Sequence, residues 1–318
     1  MEFQSANQIL PKELQKIKYD LFILVAGYEL RSIYLPQNYA IKADLKIALA
    51  FEEKPGKLQR KNNDAYLLEK GFRLITLSGE QNLDLETIFS GIFNISGKEH
   101  LNVLFDYSSM TKVWYSGMIN YLIFNTIACN NVTVHFSYTP ALHNESGKSV
   151  AVKINNRLSN PGKNGSDSTK PVALIIGLGL DKTRPEFIRK NLNPAVTYLL
   201  YADPSDEEKY VERVLKNNQE IIEQSEIRNL ISFPLHDLEK TNEIITNLCL
   251  NLRMKYNVVM VPVGPKVFSL LALLLASRYP DINVIRVSSG ANAPAFERIP
   301  CGQPLIYSVE FISDELDC

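Results

Sequence analysis

The sequence predicts an α/β protein built as two tandem, Rossmann-like three-layer domains with mainly parallel sheets. Three observations carry this. Continuous apolar runs such as LFILVA (21–26) and ALIIG (173–177) suit strands covered on both faces, as parallel strands are. These runs alternate with helix-length segments, the pattern of crossover units. The alternation then starts afresh after residues 155–170, NNRLSNPGKNGSDSTK, which have almost nothing to bury and read as a linker. A chain of 318 residues is long enough for two cores. The expected division is a leader (1–18), a first domain (19–154), the linker (155–170) and a second domain (171–318).

Taken in order, the leader holds a short helix at 12–18. LFILVA ends in Gly27-Tyr28-Glu29-Leu30-Arg31-Ser32, where glycine lets the backbone turn sharply. Strand 45–51, helix 57–71 with Gly71 as its stop, strand 72–77 and helix 83–93 follow. Strand 101–105 runs into Asp106, the small polar turn Tyr107-Ser108-Ser109-Met110-Thr111, and Lys112, which opens an apolar helix (111–128). Strands 131–138 and 149–154 close the first half. The second half begins with strand 171–177 and the turn Gly177-Leu178-Gly179-Leu180-Asp181, with Arg184 just beyond. Helix 185–191, strand 196–203 ending in Asp203, and a helix at 205–224 capped by Ser205 come next. Strand 230–235, helix 237–255, strand 257–263, the turn Gly264-Pro265-Lys266, helix 267–279 and strands 282–288 and 305–311 complete the chain.

The halves overlay in order. FILVAGYELRS matches ALIIGLGLDKTR, and NVLFDYSSMTKVWYSGMINYLIF matches NVVMVPVGPKVFSLLALLLASRY. Any two α/β domains alternate strands and helices. Alternation alone does not put Lys112 and Lys266 at the same helix start, or Arg31 and Arg184 after the first strand, so an internal duplication is expected.

Ligands of such sheets bind outside the carboxyl ends of the strands. Gly27, Glu29, Arg31, Asp106, Ser108, Ser109, Thr111 and Lys112 fall at that edge in the first half. Gly177, Gly179, Asp181, Arg184, Asp203, Gly264 and Lys266 do so in the second. Hydroxyls and a lysine at a helix start favour an anion, through free N–H groups and the helix dipole. The competing reading is a capped helix whose lysine points to solvent. If the halves pack about a pseudo-twofold, the two edges are expected to share a cleft.

Other chemistries find little support. A net charge of −1 gives no global case for nucleic acid or an anionic membrane. The four cysteines are scattered, as in a reducing compartment, and frame neither disulfides nor zinc. The N-terminus lacks the apolar core of a signal peptide, and the longest apolar run, 267–276, is too short for a bilayer, so a cytoplasmic location is expected. No cofactor or metal is expected. The glycine turn at 177–182 has Lys182 where a dinucleotide motif needs its third glycine. His100, His135, His143 and His236 form no visible metal or triad set. His135 reads as structural, and His236-Asp237 as a helix cap. Ser108 and Ser109 lack a nucleophile-elbow frame, so no catalytic residue is assigned. Trp114 and Tyr115 read as core or lid aromatics.

The turn Asp106-Tyr107-Ser108-Ser109-Met110-Thr111-Lys112 resembles the D-x-T-G-G-T-K turn of CARF domains, the CRISPR-associated Rossmann-fold sensors. In that family this turn and the first-strand loop contact cyclic oligoadenylates, and two domains share one ligand across a dyad. The resemblance covers the first 140 residues or so. It implies that Asp106, Ser108, Ser109, Thr111 and Lys112 line a ligand edge with Gly27 and Arg31. Ser109-Met110 stand where the family has paired glycines, and in the second half only Gly264-Pro265-Lys266 corresponds. The expected function is a sensor of a nucleotide-type ligand in prokaryotic antiviral defence, with a separate effector protein and a homodimer as its partners. The alternatives are a nucleotide-processing enzyme, of glycosidase or phosphodiesterase type, using Asp106, Glu29, Asp181 or Asp203, and a protein-interaction scaffold.

Overall fold

The computed structural model describes residues 1–313 except 54, 79–84, 94–97, 143–152, 160–168, 206–208 and 289–295. Among the described residues the strands run, in chain order, β1 (Glu2–Ile9), β2 (Lys18–Ala26), β3 (Lys42–Phe51), β4 (Arg73–Leu77), β5 (His100–Asp106) and β6 (Asn131–Tyr138). They continue with β7 (Lys153–Arg157), β8 (Val172–Gly177), β9 (Val196–Ala202), β10 (Leu230–Phe233), β11 (Asn257–Pro262), β12 (Asn283–Ser288) and β13 (Leu305–Ile312). The α-helices are α1 (Tyr34–Asn38), α2 (Arg60–Glu69), α3 (Leu85–Phe93), α4 (Lys112–Phe124) and α5 (Arg184–Leu192). After these come α6 (Tyr210–Asn217), α7 (Gln219–Glu223), α8 (Leu238–Arg253) and α9 (Lys266–Arg278).

The chain divides into two compact units, Met1–Asn144 with Pro294–Cys318, and Glu145–Ala293. The expected α/β class with two mainly parallel sheets is borne out. The first unit's sheet runs β1-β13-β6-β5-β2-β3-β4, and the second unit's runs β10-β9-β8-β11-β12-β7. In each, five parallel strands take the order third, second, first, fourth, fifth, counted along that unit's parallel strands. That order leaves a switch point between the first and fourth strands, where the outgoing loops diverge. The switch lies between β2 and β5 in the first unit and between β8 and β11 in the second.

The parallel strands form because they are apolar on both faces. Every residue of β2 from Tyr19 to Ala26 is buried. Phe22, Leu24 and Ala26 pack with Ala48, Ala50 and Leu104 against Ile33, Leu35 and Leu67 from the following helices. In the second unit Leu174, Ile176 and Leu199 pack against Ile188, Tyr210, Val214 and Ile221. Local signals set the helix ends. Thr111 is the extended N-cap of α4 and accepts from Trp114 N, and Asp237 caps α8 by accepting from Lys240 N at 2.8 Å. Gly71, at φ +79°, follows α2. Asn193, left-handed at φ 42°, ends α5.

Several expectations are corrected. Residues 1–18 are not a leader: they hold β1 and a 3-10 helix, Pro11–Lys16, whose Leu14 is buried in the core. The final strand, β13, belongs to the first unit, between β1 and β6 and antiparallel to both. It covers what would otherwise be the open edge of β6, and Ile306, Tyr307, Val309 and Phe311 are all buried there. Such pairing links the two ends of the chain, and sequence order assigned each end to its nearest neighbours instead. The strand expected at 149–154 and the start of the linker resolve as β7, antiparallel to β12 in the second sheet. Residues 149–152 and 160–168 lie outside the described residues. Leu158 and Ser159 then fasten to the two backbone groups of Val284, so the linker's first stretch is packed chain. The helix expected at 205–224 is broken at Asn218, whose side chain reaches out of the helix to the glycine turn. The helix expected to reach residue 128 ends at Phe124, with Asn125 extended.

Candidate functional site

At the first unit's switch point, the loop after β2 and the turn after β5 are tied side chain to side chain. Arg31 Nε donates to Glu29 Oε2 at 2.9 Å, and Ser109 Oγ donates to the same oxygen at 3.0 Å. Ser32 Oγ donates to Ser109 Oγ at 3.0 Å. Arg31 Nη1 reaches the Thr139 carbonyl at 3.5 Å, and its guanidinium lies 5.8 Å from the centroid of the Tyr138 ring. The Arg31 and Glu29 side chains are only 8% and 12% exposed, so water screens this ion pair less than a surface pair. Burial pulls the Arg31 pKa down, but the Glu29 charge, Tyr138 and their hydrogen bonds outweigh it and hold the pKa above its ordinary value. Tyr28, alongside, is pushed up to about 12, first by burial and then by Glu29, against the opposing charges of Arg298 and Arg31. Gly27 is there for space: a Cβ on it would run into the Ser32 hydroxyl and meet Ser109 Cβ at 3.3 Å.

The turn after β5 is built from its own residues. Asp106 Oδ1 accepts from Ser108 N at 3.0 Å and from the Ser108 hydroxyl, which in turn accepts from Thr139 N at 2.8 Å. Asp106 and Ser108 are both buried, so these two residues, expected along the ligand edge, turn inward and shape the turn. Ser109, Thr111 and Lys112 are the half-buried members, with Lys112 as the first residue of α4. The turn thus offers one hydroxyl, one cap and one lysine at a helix start, beside a buried arginine. Trp114 is a core aromatic: it stacks on Phe51 with centroids 4.4 Å apart and donates to the Ser78 carbonyl at 3.0 Å. Tyr115 packs on Tyr107, also in the core. His135 is buried edge-on against Tyr19, and burial lowers its pKa to about 4, which fits its structural reading.

The second unit's switch point is filled differently. A Cβ on Gly264 would strike the Leu178 carbonyl, one on Gly179 would lie 2.9 Å from the Val263 carbonyl, and one on Gly177 would meet the Phe268 ring at 2.6 Å. These glycines therefore let two backbones and a phenylalanine close on one another. Asp181 and Arg184 pair with each other at 3.0 Å, and Asp181 Oδ1 also accepts from Thr183 N and Arg184 N, each at 3.0 Å. Asp203 is exposed at the end of β9, and its N–H donates to the Phe233 carbonyl. Lys266 is the first residue of α9, as Lys112 is of α4.

Sequence reasoning missed four contributors. Asn63, on α2, donates to the carbonyls of Gly27 and Glu29 at 2.9 Å each, and Asn218 donates to the Gly179 carbonyl at 2.8 Å. One asparagine thus clamps the first-strand loop in each unit, from the helical segment after the second parallel strand. Thr139 supplies backbone groups to Ser108 and Arg31, and Glu297 accepts from Leu30 N at 2.7 Å. Nothing in the sequence marked Asn63 or Asn218 in advance. Among the described residues no group of three His, Cys, Asp or Glu is placed to hold a metal, and no helix is long and apolar enough to cross a membrane.

No family model matches the chain, and no curated protein does. Among solved structures, phosphoethanolamine N-methyltransferase 1 of Haemonchus contortus, in complex with phosphoethanolamine and S-adenosylhomocysteine, is similar over 93% of this chain and 88% of its own, at 7% identity and a TM-score of 0.23.

Proposed function

We propose that the protein senses a small, phosphate-bearing ligand of nucleotide type at the carboxyl edge of its first unit. One observation carries the reading: a buried arginine, Arg31, and the hydroxyl of Ser109 converge on a single carboxylate oxygen at a switch point, and Ser32 donates to Ser109. Arginine and hydroxyl donors around one oxygen are the chemistry of oxyanion recognition. Lys112 opens α4 three residues beyond Ser109 and adds charge at a helix start. Asp106 and Ser108 fix the turn, and Asn63 fixes the opposing loop, so the donors are held in place before a ligand arrives. Through the CARF resemblance of 106–112 the proposal extends to a cyclic or linear oligonucleotide as the ligand, a separate effector protein, and a setting in prokaryotic defence. The shared strand order, the paired asparagine clamps and the matched Lys112 and Lys266 support an ancestral duplication as the source of the two units.

The test is a thermal-shift screen of mono-, di- and cyclic nucleotides, with each nucleotide recovered and checked by chromatography. A sensor raises the melting temperature and returns its ligand intact. Consumption of the nucleotide makes the protein an enzyme instead, and no shift with any nucleotide rejects both readings in favour of a scaffold.

A further inference from the structure

The oxygen on which Arg31 and Ser109 converge belongs to the protein itself. Glu29 Oε2 takes the Arg31 Nε–H at 2.9 Å and the Ser109 hydroxyl at 3.0 Å, and Ser32 supports Ser109 from behind at 3.0 Å. Arg31 and Ser32 are the buried members of this set, and Glu29 and Ser109 are partly buried, with the Glu29 side chain slightly more exposed than that of Arg31. A carboxylate oxygen and a phosphate oxygen make the same demands on such donors: two charge-assisted hydrogen bonds to one anionic atom. Glu29 is two residues from Arg31, on a loop that Asn63 pins only through its backbone, at the carbonyls of Gly27 and Glu29. Its side chain is therefore the part of this arrangement that can leave by rotation alone, while the loop stays in place.

We infer that Glu29 is an internal competitor, holding an oxyanion subsite that a terminal phosphoryl group of the ligand takes by displacing it. The inference rests on the proposed sensing function and names its subsite: Arg31 Nε and the Ser109 hydroxyl grip the incoming oxygen, and Ser32 orients Ser109. Displacement exchanges one anion for another on a buried guanidinium, so the arginine is never left unpaired, which is the costly alternative. It also sets a specificity: neutral and cationic small molecules cannot replace the carboxylate, and only an anion carrying at least its charge competes. Tyr28, beside the subsite, feels the charges of Glu29, Arg298 and Arg31, and Glu297 accepts from the amide of Leu30.

The experiment is a calorimetric titration of inorganic pyrophosphate into the parent protein and into Glu29→Gln, with Glu29→Asp as a second variant that keeps the charge on a shorter arm. Circular dichroism confirms that each is folded. Removing the competitor's charge is expected to tighten pyrophosphate binding about tenfold in Glu29→Gln, equivalent to about 1.4 kcal/mol. A smaller gain of about threefold is expected in Glu29→Asp, whichever of the two folds better. Binding by the parent that is unchanged or weakened in both variants overturns the inference and leaves the sensing function standing, with Glu29 a latch between the two loops. Failure of the parent and both variants to bind pyrophosphate overturns the inference and the function together.

Discussion

The two units bring the same strand order to the same edge and finish it with different chemistry. In the first, the switch point is closed by charged and hydroxyl side chains, Glu29, Arg31, Ser32 and Ser109. In the second it is closed by backbone, with Gly264 against Leu178, Gly179 against Val263, and Gly177 under Phe268. Side chains can rearrange around a ligand by rotation, whereas two backbones in contact can open only if the loops themselves move. A glycine-rich turn after a strand is therefore not by itself a ligand turn. In the second unit the glycines are consumed by packing. In the first, one glycine makes room for hydroxyls.

The sharpest way to break this comparison is at the matched arginines. Arg31→Ala removes the buried guanidinium with its bonds to Glu29 and the Thr139 carbonyl and its packing on Tyr138, and should cost about 2–3 kcal/mol in chemical denaturation. Arg184→Ala removes a partly exposed pair with Asp181 and should cost about 1 kcal/mol or less. Equal losses would show that the two edges are electrostatically alike.

Acid should strike the first unit in a way the second does not share. His135 has a folded pKa of about 4, below the value of about 6.5 for an unfolded histidine. The unfolded chain therefore takes up this proton first as pH falls. His135 stays neutral in the fold, and its contribution is intact above pH ~6.5 and drains away toward pH ~4, by up to about 3 kcal/mol. His135→Phe, which keeps a ring against Tyr19, should flatten that slope in a pH series of denaturation curves.

Adding a methyl group separates the two ways of closing an edge. Gly264→Ala meets a carbonyl that cannot turn aside and should destabilise by about 2–3 kcal/mol. Gly27→Ala meets mainly the Ser32 hydroxyl, which can rotate, and should cost about 1 kcal/mol. The smallest effects test what the units have in common. Asn63→Ala and Asn218→Ala each remove a buried amide that holds a loop carbonyl, and each should cost about 1–2 kcal/mol. Losses of similar size would mark the clamp as a shared device. Loss in one unit alone would make the resemblance of the two clamps incidental.

How much of this was legible followed from the range of each interaction. The interior strands β2, β5, β8 and β11 announce themselves as apolar runs, because burial on both faces leaves no room for polar residues. β1, β7 and β13 were misplaced because antiparallel edge pairing depends on a partner far along the chain: Phe3 pairs with Phe311. The two site loops in each unit were legible from their position after strands. The inward turn of Asp106 and Ser108 was not, since their bonds close on each other and on Thr139, outside the turn. The asparagine clamps carry no motif at all. They become visible only once α2 and the α6–α7 segment are laid beside the loops they hold.

Phosphorus NMR titration of pyrophosphate against the parent, Lys112→Ala and Lys266→Ala tests most directly the proposal that anion recognition resides in the first unit, where polar side chains converge, and not in the second. The account predicts affinity about tenfold weaker in Lys112→Ala, the loss of one charge-assisted contact, and a change within about twofold in Lys266→Ala. Parental affinity in Lys112→Ala, or a loss confined to Lys266→Ala, would contradict it.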